Sequence, residues 1–502
     1  MIPLLAFRNL LQRPWRSALL LLGFAMGVSV MIVLLSVGEA LVAQARDRRL
    51  VGGGEITVLP EGLDLEMLKV GGLGGIYFSI PNARFVQLQL LDAPRLAADV
   101  RAVAPQIEGK LVYLRLPDGR EMPVQAAGDV PGATTAVGAA PRIVAGAWRD
   151  DDGDRRWSRP TPAELRHDID HFHLPPAGVA RPESWAEWHY FNVLSPDGKR
   201  WAFVSLIVAG DVTHRASGLW GGQVLVTTHA QGETDGGRRY SAIAGPDAVR
   251  FSTTDADLTI GASSVRVLPD GRYAVHAEAP AERGGGRATV DLVVTPQPRA
   301  YFPGATLESG DFASGYAVAA LRADASGTLC AAGACERLTS VQAYHDHNWG
   351  TWQGVTWEWG AGRAGDLTLL YGRVQPPDSL GTRSSLFLYV VDSLGFRALF
   401  RPRDIAYVDD RVVTVGGRTI RVPSRGIMLD ARGADTIRVE LDVEHASATD
   451  TRLGLVERGD ADAARHLARP YFVQMKGRLR ISGRVGGQIV GGEGAGFFET
   501  YR

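Results

Sequence analysis

Hydrophobic and polar positions divide the chain into one long apolar run and a remainder of short alternating segments. Residues 17–37 read SALLLLGFAMGVSVMIVLLSV, without a charged side chain. As an α-helix rising about 1.5 Å per residue, this run extends roughly 30 Å, the hydrocarbon thickness of a bilayer. It therefore predicts a transmembrane helix within an N-terminal region of residues 1–45. Later apolar runs, such as residues 384–391, are only as long as β-strands.

A cleaved signal peptide is the alternative interpretation of the same run. Ala43 and Ala45 form an A-x-A pattern before Arg46, which is typical of a signal-peptide cleavage site. Against cleavage, the apolar run is longer than the core of a typical signal peptide, and Glu39 interrupts it before that site. We therefore expect a retained membrane anchor.

The orientation of this helix is not decided by charge. Arginines are equally frequent on its two sides, so the positive-inside rule gives a tie. We expect the N-terminus to lie inside, because the short N-terminal flank cannot hold a domain and Trp15 suits the membrane interface. The arginines are Arg8, Arg13 and Arg16 before the run, and Arg46, Arg48 and Arg49 after it.

Beyond the helix, turn signals separate many short strand-like segments. The chain contains 60 glycines and 27 prolines, and such a composition favours many turns. Strand signals dominate from residue 163 onward, at the regular spacing that antiparallel sandwiches and barrels show. The sequence therefore predicts a mainly β fold, preceded by a small α+β segment. Three Pro-Asp-Gly triplets predict hairpin turns, at residues 117–119, 196–198 and 269–271.

Composition excludes one class of partner and leaves the cysteines open. The net charge of −1 over 502 residues gives no basic face for nucleic acid. Cys330 and Cys335 enclose the sequence AAGA between two predicted strands. In an oxidising compartment we expect a disulfide that closes the end of this hairpin. The alternative is a pair of buried thiols.

The segment VQAYHDHNWGTWQGVTWEWG, residues 341–360, concentrates the candidate chemistry. In a strand, Tyr344, Asp346 and Asn348 share one face, whereas His345, His347 and Trp349 share the other. A carboxylate beside a phenol and an amide, surrounded by indoles, can act as a general acid with a raised pKa. The alternative is structural, with Asp346 binding turn amides while the indoles fill a barrel core. The tryptophans are Trp349, Trp352, Trp357 and Trp359.

Two further segments carry titratable groups. The sequence HDIDHFH, residues 167–173, has enough histidines and aspartates for zinc but lacks an HExxH pattern, so we predict an exposed segment and no metal. Glu187, before the aromatic run WHYF, either faces a ligand or Asp346 from the interior, or lies at a sheet edge. Neither a Walker A loop nor a dinucleotide fingerprint is present, so we predict no cofactor.

The N-terminal segment resembles one class of membrane protein. The stretch FRNLLQRPWRSALLLLGFAMGVSVMIVLLSVGEAL (residues 7–41) is similar to the first transmembrane segment of ABC permeases of the macrolide-export and lipoprotein-release type. The sequence GGGEITVLPEGLD (residues 52–64) resembles the start of their extracytoplasmic domain. The resemblance implies a single-pass protein of the cytoplasmic membrane, with its N-terminus inside, its body in the periplasm or outside the cell, and ABC transporter subunits as partners. The chain departs from those permeases in lacking their three further spans.

The rest of the chain resembles a second family. EWHYFN (residues 187–192), YHDHNWG (344–350) and WEWG (357–360) resemble motifs of the hydroxyneurosporene synthase family, which includes carotenoid 1,2-hydratases and AttH-like proteins encoded beside ABC transporters. The resemblance covers about residues 155–502 and implies two lipocalin-like (calycin) barrels. We accordingly divide the chain into an anchor region (1–45), a permease-like segment (46–147), a linker (148–162) and two lipocalin-like domains (163–300 and 301–502).

The second resemblance also implies roles for individual residues. Enzymes of that family protonate an isolated alkene of an isoprenoid and add water to the cation. By this resemblance Asp346 would donate the proton, with Tyr344 and Glu187 as catalytic partners. In that family the region before the YHDHNWG motif is rich in Tyr, Trp and His. In this chain residues 315–323 (GYAVAALRA) contain one residue of these types, Tyr316, and are otherwise mostly small and aliphatic. The ligand-binding set would be His345, His347, Asn348, Trp349, Trp188, Tyr190, Trp357 and Trp359.

Two functions follow as hypotheses. The first is a membrane-anchored protein that binds a lipophilic, isoprenoid-like or lipid-like molecule as an accessory of an ABC transporter. The alternative is a cofactor-free hydratase or cyclase that protonates an alkene with Asp346. Calycin folds serve both purposes, so the fold alone does not decide between them.

Overall fold

The structure is a computed structural model. It describes residues 14–46, 56, 58, 79–139, 146–179, 181–195, 198–214, 218–230, 237–309, 312–377, 384–415, 417–452, 465 and 467–502. The chain forms two compact units. One comprises residues 1–79 and 102–154, and the other comprises residues 80–101 and 155–502.

The first unit contains the apolar helix α1 (Pro14–Arg46). Its stretch Pro14–Glu39 has a mean hydropathy of 2.7 and none of its most apolar window is buried. By length and composition this helix can cross a membrane, and an N-terminal signal sequence would have the same properties. The unit also contains β1 (Gln106–Arg115), β2 (Glu121–Asp129) and α3 (Pro131–Ala136). Helix α2 (Ile80–Asp92) precedes them in the chain but belongs to the other unit.

The hairpin β1–β2 confirms the first Pro-Asp-Gly turn. The two strands pair antiparallel from Arg115–Glu121 outward, and Gly119 adopts a φ of +83°. Only glycine takes this left-handed conformation without a steric penalty. Gly271, in the third triplet, repeats the geometry with a φ of +81°. Residues 196 and 197 of the second triplet lie outside the described residues.

Three helices accompany the second unit: α2 (Ile80–Asp92), α4 (Asp152–Ser158), which begins in the first unit, and α5 (Pro162–Asp170). A capping box starts α5, because Thr161 Oγ1 accepts from the Glu164 amide at 3.2 Å and Glu164 accepts from the Thr161 amide at 2.8 Å. The expectation of an exposed segment at 167–173 was wrong, since α5 runs to Asp170 and buries it completely. The signal T-P-A-E was present in the sequence.

The first sheet of the second unit is a near-closed antiparallel barrel. Its strand order is β6-β5-β4-β3-β14-β13-β11-β10-β9-β8-β7, with β12 added beside β13. A bridge between Tyr240 and Ala281 brings the ends of β6 and β10 together. The strands are β3 (Trp185–Leu194), β4 (Arg200–Gly210), β5 (Trp220–Ala230), β6 (Arg238–Ala244), β7 (Val249–Phe251), β8 (Leu258–Ile260), β9 (Ser263–Val267), β10 (Tyr273–Pro280), β11 (Arg287–Pro296), β12 (Phe302–Ser309), β13 (Phe312–Ala331) and β14 (Ala334–Thr351).

The second sheet is a half-barrel of antiparallel strands in the order β18-β17-β16-β15-β25-β24-β23-β22-β19. Its edges are short, as β19 has three residues, and a separate hairpin, β20–β21, accompanies it. The strands are β15 (Thr356–Ala364), β16 (Leu367–Gln375), β17 (Phe387–Asp392), β18 (Gly395–Phe400), β19 (Ala406–Val408), β20 (Arg411–Val415), β21 (Arg418–Val422), β22 (Arg425–Arg432), β23 (Asp435–Asp450), β24 (Tyr471–Val485) and β25 (Gln488–Tyr501).

This architecture confirms the predicted fold class, a mainly β body of two barrel-like sheets after an apolar helix. Strand β10 shows why these residues form strands, because its buried and less buried positions alternate along Tyr273–Pro280. The first sheet extends to Thr351, so its strand ladder crosses the predicted domain boundary at residue 300. Cys330 and Cys335 form a disulfide at the turn between β13 and β14.

Candidate functional site

Strand β14 carries candidate residues on two opposite faces. It lies between β13 and β3 in the first sheet, and successive side chains of a strand alternate in direction. Tyr344 and Asp346 contact Trp359 of the second sheet, whereas His345 contacts Asp170 at the end of α5. We call these the acid face and the histidine face.

On the acid face, three donors hold the carboxyl group of Asp346. Its Oδ2 accepts from the Tyr344 hydroxyl at 2.7 Å and from Trp359 Nε1 at 3.1 Å. Its Oδ1 accepts from Asn348 Nδ2 at 2.7 Å. Trp359 Nε1 also donates to the Tyr344 oxygen at 3.0 Å. The arrangement leaves Oδ1 with fewer donors than Oδ2, so Oδ1 is the oxygen that can carry a proton.

Burial decides the protonation behaviour of this carboxyl group. Asp346 is 2% exposed, and burial raises its pKa to about 6, against the lowering effect of Tyr344, nearby His345, Trp359 and Asn348. The groups that lower this pKa are three hydrogen-bond donors and a histidine, and none of them is an arginine or lysine. A carboxylic acid is therefore populated in mildly acidic solution.

A second buried carboxyl group, Glu499 on β25, lies in the same electrostatic environment. Its oxygens accept from Trp357 Nε1 at 2.9 Å and from Gln474 Nε2 at 3.3 Å. Burial raises the pKa of Glu499 to about 7, and the charge of Asp346 adds to this effect. Sequence analysis did not single out Glu499. The signal was a lone acid in the otherwise apolar and aromatic ending GFFETY.

Aromatic rings surround this pair of carboxyl groups. The Trp188 and Trp352 ring centroids are 4.6 Å apart, and Trp352 and Trp357 are 5.6 Å apart. Tyr190, on β3, packs against Phe497 with centroids 5.7 Å apart. Aromatic faces carry partial negative charge and stabilise a cation held over them. The acid face is thus built from aromatic side chains of both sheets.

A small cavity of about 10 Å³, which has room for roughly one water molecule, lies beside Tyr344. It runs between the sheets, with Asn192 and Gln342 contributed by the first and Arg363 and Phe497 by the second.

On the histidine face, Asp170 is the central group. Its Oδ2 accepts from the Tyr273 hydroxyl at 2.7 Å and lies 2.9 Å from His345 Nε2. The other nitrogen of His345 lies 3.0 Å from the carbonyl oxygen of Tyr190. Burial alone would raise the pKa of Asp170, but His345, His189 and His347 hold it well below its usual range. Asp170 is therefore a carboxylate in the barrel interior.

His347 and Glu187 extend this face. His347 Nδ1 is 2.8 Å from Asp170 Oδ1, and its Nε2 is 2.7 Å from Glu187 Oε1. Burial opposes charge on His347, but the two carboxylates raise its pKa to about 10. Glu187 also accepts from the backbone amide of His173 at 2.8 Å. The His173 ring stacks on Trp349, with centroids 3.6 Å apart.

The structure thus separates the residues that the sequence grouped into one site. The acid face brings together Asp346, Tyr344, Asn348 and Trp359, with Trp188, Tyr190 and Trp357 nearby. The histidine face holds Glu187, His345, His347 and Trp349. Sequence analysis missed Asp170, His173 and His189 as partners of this second group, because their separation from β14 along the chain hides the contact.

Comparisons with known proteins add structural likeness alone. No family model and no curated protein matches the chain, and nothing in the comparisons supports the permease resemblance. An AttH-like protein, NE1406, from Nitrosomonas europaea is 16% identical and covers 66% of this chain and 98% of its own, with a TM-score of 0.44. Kievitone hydratase from Nectria haematococca is 12% identical and covers 66% of this chain and 96% of its own, with a TM-score of 0.40. CghA crystallised with Sch210972 is 13% identical and covers 66% of this chain and 94% of its own, with a TM-score of 0.41. At these sequence identities and TM-scores, the likeness concerns the fold and not the activity.

Proposed function

We propose that this chain is a cofactor-free acid catalyst that protonates a carbon–carbon double bond of a lipophilic substrate, with Asp346 as the proton donor. The observation that carries the proposal is the setting of Asp346, which is buried beside aromatic rings and held by Tyr344, Trp359 and Asn348. A general acid needs a fixed direction and a protonated form near the working pH. The resemblance of YHDHNWG to the hydratase motif supports the same role.

The proton would leave from Asp346 Oδ1. The π electrons of the alkene form the new C–H bond, the second carbon becomes a carbocation, and Asp346 becomes a carboxylate. Tyr344 and Trp359 donate to Oδ2 and stabilise the negative charge that develops there. The rings of Trp188 and Trp357 supply aromatic faces for the cation.

Water then completes a hydration. Its oxygen bonds to the cationic carbon, and the released proton passes to the Asp346 carboxylate that the first step produced. This transfer restores the Asp346 acid, so the net change is the addition of water across the double bond. If an internal nucleophile or a second alkene of the substrate replaces water, the same acid gives cyclisation.

A second candidate function is the capture of a lipophilic molecule at a membrane, as an accessory of an ABC transporter. The observation that favours it is α1, an apolar helix with its most apolar window fully exposed. In this version α1 is a retained single-pass anchor of the cytoplasmic membrane, with its N-terminus inside and the β body outside the cytoplasm. The aromatic acid face would bind the ligand without turnover.

One experiment separates the two candidates. The full chain in detergent is incubated with the acyclic isoprenoids neurosporene and squalene in ¹⁸O-water, and products are identified by mass spectrometry. Catalysis predicts an alcohol that carries ¹⁸O, and its loss in Asp346→Asn, whereas Asp291→Asn on the exposed side of β11 keeps wild-type turnover. If both substrates quench tryptophan fluorescence and neither reacts, with lipid co-purifying from cell membranes, capture is favoured over catalysis.

A further inference from the structure

The interior of the first barrel contains a cluster that neither proposed function uses. Asp170 ends α5, whereas His189 and His347 form a directly opposed pair on β3 and β14. Their side chains are 0%, 3% and 0% exposed. One oxygen of Asp170 and one ring nitrogen of each histidine lie within 4.8 Å of one another. We call these residues the Asp170 triad.

The inward-facing atoms of the triad have no hydrogen bond of good geometry within the described part of the chain. Among the described residues, Asp170 Oδ1, His189 Nδ1 and His347 Nδ1 each lack a hydrogen bond of acceptable geometry. Asp170 Oδ1 lies 2.8 Å from His347 Nδ1, which is an ion-pair distance, and 3.7 Å from His189 Nδ1, which is beyond hydrogen-bond range. Buried polar atoms normally have partners, and three such atoms within 4.8 Å of one another can share one ligand.

The distances and atom types fit a metal ion. A tetrahedral zinc site has bonds of about 2.0–2.1 Å, which places ligand atoms roughly 3.3–3.4 Å apart. The two separations from Asp170 Oδ1 lie on either side of this value. Two imidazoles and one carboxylate suit zinc and other divalent first-row transition metals.

The surrounding groups are placed as outer-shell partners of a metal site would be. His347 Nε2 lies 2.7 Å from Glu187 Oε1, although like Nδ1 it lacks a hydrogen bond of good geometry to any described residue. A carboxylate at this distance can orient a metal-bound imidazole. The second oxygen of Asp170 is held by Tyr273 at 2.7 Å and by His345 at 2.9 Å. Tyr273 and His345 thus occupy Oδ2 of Asp170, and Oδ1 is left for the triad.

We propose that the Asp170 triad binds one divalent transition-metal ion, with zinc the best match. The ion would join the C-terminal end of α5 to β3 and β14, and would thereby close the interior of the barrel. Its role is structural, because the ligands are fully buried and Asp346 faces the other side of β14. The proposal replaces the expectation from the sequence that no metal is bound.

Metal binding to the full chain in detergent tests this directly. Chelator-treated protein is titrated with Zn²⁺ and with Co²⁺, and bound metal is measured by mass spectrometry and by the visible absorption of Co²⁺. We expect one equivalent per chain and a Co²⁺ band of tetrahedral intensity. His189→Gln should weaken binding by more than about 100-fold, and Glu187→Gln by about 10- to 100-fold, as for outer-shell partners.

His171→Gln is the matched control, because His171 lies in the same segment and stacks on His173 without joining the triad. It should leave binding unchanged. A wild-type chain that binds neither metal would overturn the proposal, even if the variants fail to fold. Binding that survives His189→Gln but is lost in His173→Gln would also overturn it, by moving the ion to the neighbouring group of His173, Glu187 and His347. Neither readout depends on turnover, so the proposed acid catalysis stands or falls separately.

Discussion

The two faces of β14 bury carboxyl groups with opposite results. Asp346 receives hydrogen bonds from neutral donors, and burial raises its pKa to about 6. Asp170 is buried as deeply, but His345 and His189 hold its pKa well below the usual range. The comparison teaches that the partners of a buried carboxyl group decide whether it can release a proton or remains a fixed charge.

The largest expected effect separates the chemistry of the acid face from its packing. Asp346→Asn keeps the size of the side chain and removes the proton, so turnover of a protonated alkene should fall by about 10²- to 10⁴-fold. The free energy of unfolding should change little. Steady-state rates and urea unfolding, followed by tryptophan fluorescence, measure the two quantities. Equal rates for wild type and variant would refute the acid role.

A substitution on the histidine face should lower the stability of the protein instead of its turnover. Asp170→Ala leaves the Tyr273 hydroxyl and the His345 ring without their buried partner, which should reduce the free energy of unfolding by about 3–5 kcal/mol. Asp291→Ala, at an exposed ion pair with His276, is the control and should cost less than about 1 kcal/mol. Similar unfolding midpoints for the two variants would mean that the buried network contributes little stability.

Substitution of Gly315 tests whether the histidine face can be perturbed without an effect on the acid face. A Cβ at Gly315 would lie 2.2 Å from the Trp349 ring, which stacks on His173. Gly315→Ala should therefore destabilise the protein by about 1–3 kcal/mol through overpacking, with the pH profile of turnover unchanged. Gly285→Ala, where a Cβ meets nothing within 4 Å, provides the baseline. A shifted pH profile in Gly315→Ala would show that the faces are coupled.

The smallest effect concerns the pKa of the acid itself. Turnover needs the protonated form of Asp346, so it should fall about tenfold per pH unit above pH 6. Tyr344 lowers this pKa by donating to Oδ2. Tyr344→Phe should therefore move the falling limb to higher pH by roughly half to one unit, since one hydrogen bond contributes about 1 kcal/mol and one pKa unit is about 1.36 kcal/mol.

The control for this shift is Tyr316→Phe. Tyr316 packs edge-on against Trp359, with centroids 5.0 Å apart, and has no hydrogen bond to Asp346 in the described part of the chain. Tyr316→Phe should keep the falling limb of the pH profile at the wild-type position. A limb that stays in place in Tyr344→Phe would assign the observed pH dependence to another group, with Glu499 the first to examine.

Sequence reasoning reached the alternation on β14 but joined its two faces into one site. The period of two placed Asp346 with Tyr344 and Asn348, and these three residues are hydrogen-bonded in the structure. Glu187 was expected to be a catalytic partner of Asp346, and it lies on the histidine face with His347. The pairing of β3 with β14 decides this, because Glu187 and His189 point to the barrel interior while Trp188 and Tyr190 point outward.

Local patterns account for the apolar helix, the two described Pro-Asp-Gly turns, the strand-rich body and the two faces of β14, because each depends on neighbours within a few residues. Long-range packing accounts for the partners of the buried charges. Asp170 meets His345 across 175 positions, and Glu499 meets Trp357 across 142. Burial and its effect on pKa depend on these contacts in space. No pattern along the chain could therefore show that one carboxyl group is an acid and the other a fixed anion.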